Sequence, residues 1–181
     1  MTMMIRFLRS LARSRAGSSA AEFALWTAGI GFPVVSVVDL AGFAHQRMQT
    51  EQAAEAAIFA AWQACDRLPE LPAVKNCANL TSLMTTAAQS TSLGTTVTLA
   101  TANPVEGYYC VTSGALTLNG TTATIGGTPV KTTAVCPGTL SAPGDYLKVT
   151  VNRTYAPLFT RASVGAALPT TITAVAWVRL N

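Results

Sequence analysis

The stretch from Glu22 to Val38 limits what this chain can fold into more than any other. Phe23 to Val38 contains no ionisable side chain, and a single carboxylate, Glu22, stands at its head. A segment apolar on all sides must be buried in protein or in lipid. From Glu22 to His45 a helix runs about 36 Å at 1.5 Å per residue, enough to cross a bilayer. A plain anchor has no use for the acid, because a charge near the membrane centre costs roughly 2.5–3.5 kcal/mol on insertion scales. Glu22 therefore points to a partner.

The segment before it reads as a processing and orientation signal. Arg6, Arg9, Arg13 and Arg15 precede Gly17, and no further Lys or Arg occurs until Arg47. By the positive-inside rule the N-terminus stays cytoplasmic and the rest is exported. Four of the 12 basic residues lie in this leader, and those that remain match the 8 acidic ones. The formal charge of +4 thus reports topology and gives no argument for nucleic acid.

Beyond Leu40 the pattern turns amphipathic. Gln46, Arg47, Gln49, Glu51, Gln52 and Glu55 form a polar side, and Phe43, Met48, Ala54, Ile58, Ala61, Trp62 and Cys65 a drifting apolar stripe. We expect one helix over 18–64, with Pro33 bending it because proline lacks the N–H of the ladder. Its later stripe should pack on the chain's own β-domain. Asp66-Arg67-Leu68-Pro69 ends it. A shorter helix is expected from about Ala73 to Ala88.

From Thr95 strand patterns dominate, at 95–100 and 108–112. A hairpin is expected over 116–125 on the Asn119-Gly120 turn. Leu147, Val149 and Val151 alternate with polar residues, and so do Ile172, Ala174, Ala176 and Val178. Trp177 falls on the outward side of the last strand. Residues 126–145 and 155–170, with their Pro and Gly, read as loops.

Cys65, Cys77, Cys110 and Cys136 form no C-x-x-C motif, and the lone His45 is too little for a Cys/His zinc site. In an exported domain an even count favours disulfides. Three pairings are open; 65 with 77 and 110 with 136 is preferred, since each closes a local loop worth roughly 3–4 kcal/mol. No catalytic constellation appears: His45 lies on the helix, Gly126-Gly127 is turn chemistry, and Glu106 and Asp145, the β-region's only carboxylates, lack motif context. We expect no enzymatic activity, no cofactor and no metal.

Arg15-Ala-Gly-Ser-Ser-Ala-Ala-Glu22-Phe23-Ala24-Leu25, the acid-apolar-Gly stretch Asp39-Leu40-Ala41-Gly42 and the Ala-rich Gln49–Ala57 resemble the TadE-like minor pilins (pseudopilins) of the tight-adherence type IV pilus system. The closing strands 146–158 and 172–179 are similar too; residues 65–145 align with nothing, and the proline sits deeper than is usual in that family. The resemblance implies cleavage between Gly17 and Ser18 by a prepilin peptidase, with Glu22 as the fifth mature residue. The new α-amine of Ser18 is largely charged at neutral pH and can pair with a Glu22 carboxylate in a helical bundle. Asp39 falls where the family's second acid falls, so a role in subunit contacts is expected there.

The expected fold is α+β and pilin-like: a cleaved leader 1–17, a long helix 18–64 with a transmembrane part at about 22–45, and an exported domain 65–181 with a short helix and a mostly antiparallel sheet. The implied partners are the peptidase, other major and minor pilins, the assembly machinery and the inner membrane, crossed once. The alternative is a single-span envelope protein that binds a ligand through its β-domain. Release by ordinary signal peptidase fits poorly, because Asp39 lies where an apolar core should continue.

Overall fold

The computed structural model describes residues 15–159 and 164–180, so the leader ahead of Arg15 lies outside the described residues. Helix α1, Arg15–Cys65, is 51 residues long and continuous through Pro33. It is long and apolar enough to cross a membrane, with a mean hydropathy of 1.7 over its most apolar window. Two compact units divide the chain. One holds the described part of Met1–Phe43 with Pro157–Leu168; the other holds Ala44–Ala156 with Pro169–Asn181.

In the second unit, Ala53, Ala54, Ala57, Ile58, Ala61 and Cys65 of α1 are buried at three- and four-residue spacing. They are mostly alanines, and they share one buried cluster with the surface they cover. That surface is the inner face of a sheet. Strand β4 (Gly144–Thr154) buries Leu147, Val149 and Val151, and strand β5 (Thr171–Leu180) buries Ile172, Ala174, Ala176 and Leu180. Each fully enclosed Leu or Val contributes about 1.5–3 kcal/mol of apolar burial. The alternation expected from sequence at both strands is the observed one.

The expected second helix is two. α2 (Ala73–Asn76) stops at Cys77, Asn79 takes the left-handed conformation, and α3 (Leu80–Gln89) follows. Cys77 is bonded to Cys65 at the end of α1, which fixes the point where the helix must break. α3 then packs Leu80, Met84 and Ala88, four residues apart, into the same core.

All strand pairs are antiparallel. β4 pairs with β5 over its length, and on its other side with β2 (Val105–Thr112) and then β1 (Val97–Leu99). β3 (Ala115–Leu118) lies outside β2. Here the expected hairpin is corrected. The tight turn is Ser113-Gly114, both with positive φ, joining Thr112 to Ala115. Two positive φ values suit a type I′ turn, whose twist matches that of the strands it joins. Asn119-Gly120 is an irregularity beyond β3, after which Ala123 rejoins Glu106 beside β2. Asn119 is buried. Its Oδ1 accepts the N–H groups of Thr132 and Thr133, and its Nδ2 donates to Thr133. The pair anchors the following loop rather than reversing the chain.

Gly120 has φ +117°, and a Cβ there would fall on the carbonyl oxygen of Val130, which bonds Thr121 N–H. Gly120→Ala is expected to lower stability by more than about 2 kcal/mol, through strain and collision together. Gly138→Ala, at φ +75° but facing open space, should cost only the backbone part, about 1–2 kcal/mol. Urea unfolding of the full chain in detergent, disulfides intact, measures both.

Candidate functional site

In the described part of the apolar run most side chains are exposed; Val35 is half-buried and Ser36 buried. Phe23, Leu25 and Trp26 are each at least 70% exposed. Thr27 donates to the Phe23 carbonyl at 2.7 Å and Ser36 to that of Phe32 at 2.8 Å. Such back-bonding satisfies a hydroxyl without water, which a lipid-facing helix requires. Glu22 lies exposed among these residues. Gly17 and Ser18 belong to the first turns of α1; their side chains lie outside the description.

Asp39 is placed differently from an acid at an open membrane surface. It is 1% exposed. Its Oδ1 accepts the N–H of Leu158 at 2.9 Å and its Oδ2 that of Phe159 at 3.3 Å. One turn earlier, Ser36 Oγ accepts the N–H of Val164 at 3.4 Å. Backbone donors of a loop laid on an apolar helix have no water to turn to, and each unsatisfied one costs energy. Asp39 and Ser36 supply the acceptors. The carboxylate therefore clamps the chain's own 157–159 segment, a use that its place in the sequence did not reveal.

The β-domain brings together two carboxyl groups that the sequence left apart. Glu106 on β2 is fully buried, and its oxygens accept the N–H groups of Ala73 at 3.0 Å and Val74 at 2.7 Å, at the start of α2. Asp145 on β4 is also buried and interacts directly with Glu106. Burial raises the Asp145 pKa to about 7, helped by the charge of Glu106 and a hydrogen bond to it; Lys131 and the Tyr146 N–H oppose the shift. Lys131 Nζ lies 4.2 Å from the centre of the Tyr108 ring, and Tyr108 is the cross-strand neighbour of Asp145. Both oxygens of Glu106 are engaged and enclosed, so the pair holds α2 against the sheet.

The cysteines are joined 65 to 77 and 110 to 136, with Cα separations of 5.7 and 5.5 Å. The second bond ties β2 to the 126–145 loop. It borders a cleft of about 340 Å³ that Tyr109, Tyr146 and Arg179 also line. On the sheet's outer face Tyr109 meets Tyr146 and Trp177 edge to face, at 5.8 and 5.3 Å. Tyr109 stands across from Gly144 and Tyr146 across from Gly107, but each ring lies over the glycine of its own strand, Tyr109 over Gly107 and Tyr146 over Gly144. Trp177 remains 41% exposed. Among the described residues no group of three or more His, Cys, Asp and Glu could hold a metal ion. His45 Nε2 is 3.0 Å from the Gln49 amide on the surface of α1.

No known protein family, curated protein or solved structure matches this chain.

Two outcomes follow from the acids. The Asp145 pKa is raised on folding, so its stabilising contribution is full below the unfolded value of about 3.9 and is lost as pH rises through about 7. Asp145→Asn should therefore raise the thermal midpoint at pH 8 and flatten its dependence between pH 5 and 8. An unchanged pH profile would count against the buried pair. Asp39→Ala should leave two loop donors without acceptors and speed amide exchange at Leu158 and Phe159 about tenfold, at an expected loss near 1–3 kcal/mol. Hydrogen exchange with mass spectrometry reads it directly.

Proposed function

We propose that this chain is a minor pilin or pseudopilin. It is a non-enzymatic subunit cut by a prepilin peptidase and taking part in assembly of tight-adherence type IV pili. The observation that carries this reading is one continuous helix with two environments. Its first part exposes apolar side chains around Glu22, and its last part buries an alanine stripe against a disulfide-bonded sheet. A subunit that leaves the membrane to join a helical bundle needs such a helix, apolar enough for lipid and able to exchange lipid for neighbouring helices. The disulfides suit an oxidising compartment outside the cytoplasm. A small, tightly packed domain at the far end of the helix is what such a bundle would display.

In this proposal cleavage after Gly17 frees the Ser18 amine, and the amine and Glu22 carboxylate attract each other across the bundle. Alone, the buried acid is costly; beside a cation it is tolerated, so pairing rewards one axial register. Other pilins, the assembly machinery and the inner membrane are the partners this reading requires.

The mature mass of membrane-extracted protein tests processing: cleavage should leave a chain beginning at Ser18, and Gly17→Leu should block it. A mature protein that retains Arg15, or begins near Phe43, would sink the reading. For assembly, Glu22→Ala should leave cleavage and insertion intact, because losing a charge eases insertion. It should reduce co-purification with other pilins and reduce surface adherence. Glu22→Gln, which keeps shape and removes charge, should do the same. Wild-type adherence in both variants would make Glu22 a bystander.

A further inference from the structure

Between Glu22 and His45 helix α1 carries one ionisable side chain, Asp39. The uncharged run from Phe23 to Val38 is about 24 Å long at 1.5 Å per residue, short of the roughly 30 Å of hydrocarbon in a bilayer. Carried on to Ala44 it reaches about 33 Å. Counted from Glu22, the outer edge of the hydrocarbon therefore falls beyond Asp39. An open carboxylate at that depth is costly. This one is 1% exposed.

Asp39 is held by the segment Pro157–Leu168, which belongs to the same compact unit as α1 up to Phe43. The N–H groups of Leu158 and Phe159 donate to its carboxylate, and that of Val164 to Ser36 Oγ. Pro157 has no N–H to satisfy. Leu168 N–H donates to the Gly165 carbonyl at 3.1 Å, after the short turn Val164–Ala167. Non-helical backbone at membrane depth is tolerated only where protein satisfies it, and these donors meet that condition. The loop's side chains go the other way. Leu158 is 75% exposed, Phe159 39% and Val164 37%. Val34, Val37, Val38 and Leu40, on the stretch of α1 that receives the loop, are exposed as well.

We propose that 157–168 is a second membrane contact, seated at the boundary of headgroups and hydrocarbon by Ser36 and Asp39, with Leu158, Phe159 and Val164 in lipid. It rests on α1 spanning a bilayer. Lipid is the occupant because the loop continues the exposed apolar surface of that span. In water a loop can leave its donors to solvent; this one turns them inward and its apolar side chains outward, which an apolar surrounding favours. Its one ionisable residue is Arg161. From that depth an arginine can reach headgroup phosphates while its stem stays among apolar groups.

Spin labelling tests the depth. The purified full-length chain is placed in phosphatidylcholine–phosphatidylglycerol vesicles at low protein density, with one nitroxide-labelled cysteine at a time. The native cysteines are paired, so the added one takes the label. Power saturation compares collisions with oxygen, which concentrates in lipid, and with a nickel chelate, which stays in water. Leu25→Cys marks the span, and Gln52→Cys an exposed position on the polar side of α1. Leu158→Cys and Val164→Cys should both favour oxygen several-fold, as Leu25→Cys does and Gln52→Cys does not. The proposal is overturned if either loop label favours nickel while Leu25→Cys favours oxygen; the span then stands and the loop lies in water. If Leu25→Cys itself favours nickel, the span fails and the proposal with it. Shielding of both loop labels from both reagents overturns it too. Line broadening that vanishes on dilution with unlabelled chain would then assign the cover to a second copy, and its absence to the chain's own fold.

Discussion

The rest of the structure depends on the seam between the alanine stripe of α1 and the inner face of β4 and β5. Ala53, Ala54, Ala57 and Ala61 are almost completely enclosed, and they face side chains that are themselves enclosed, among them Leu147, Val149 and Val151. Alanine contributes little area by itself. Its value is that it keeps helix propensity high while the larger residues of the sheet supply the volume. A larger residue at Ala57 would push the helix off the sheet and open space along the whole seam. The same seam sets the end of α1: Cys65 is the last residue of the stripe, and its bond to Cys77 returns the chain to that core.

Four acids in this chain meet the energetic problem of burial in different ways. Glu22 sits exposed in an apolar stretch of helix. Asp39 is enclosed but accepts two backbone N–H groups from its own loop. Glu106 is enclosed and accepts two from the start of α2. Asp145 is enclosed next to Glu106, and its proton affinity rises until one charge is shed near neutrality. Two of these acids thus act as fasteners for segments with backbone donors to satisfy, and a third is tied to one of them. Glu22 is exposed where the other three are enclosed.

The helix was legible because its pattern changes period and polarity at a single place, near Leu40, and because nothing before Asp66 carries a stop signal. β4 and β5 were legible because strict alternation has one meaning. What escaped the sequence depended on register or on distant pairing. Asn119-Gly120 has the composition of a two-residue turn, yet the side chain of Asn119 was worth more as a buried anchor for 132–133 than as a surface turn. Ser113-Gly114, a weaker signal, took the turn instead. The break at Cys77–Asn79 follows from a disulfide that local propensity cannot see. The meeting of Glu106 and Asp145 required knowing that Tyr108, two residues along β2, pairs with Asp145.

The two faces of the sheet also account for its unusual sparsity of charge. The inner face is covered by α1 and α3, and its charged groups are the Glu106–Asp145 pair and Arg153, which stands across from Val97 and Ile172. The outer face is held by aromatic rings over glycine backbone, with Lys148 set 5.2 Å from the Trp177 ring centre. Rings over glycines restore the rigidity that glycine removes, so the outer face keeps its shape without a covering layer.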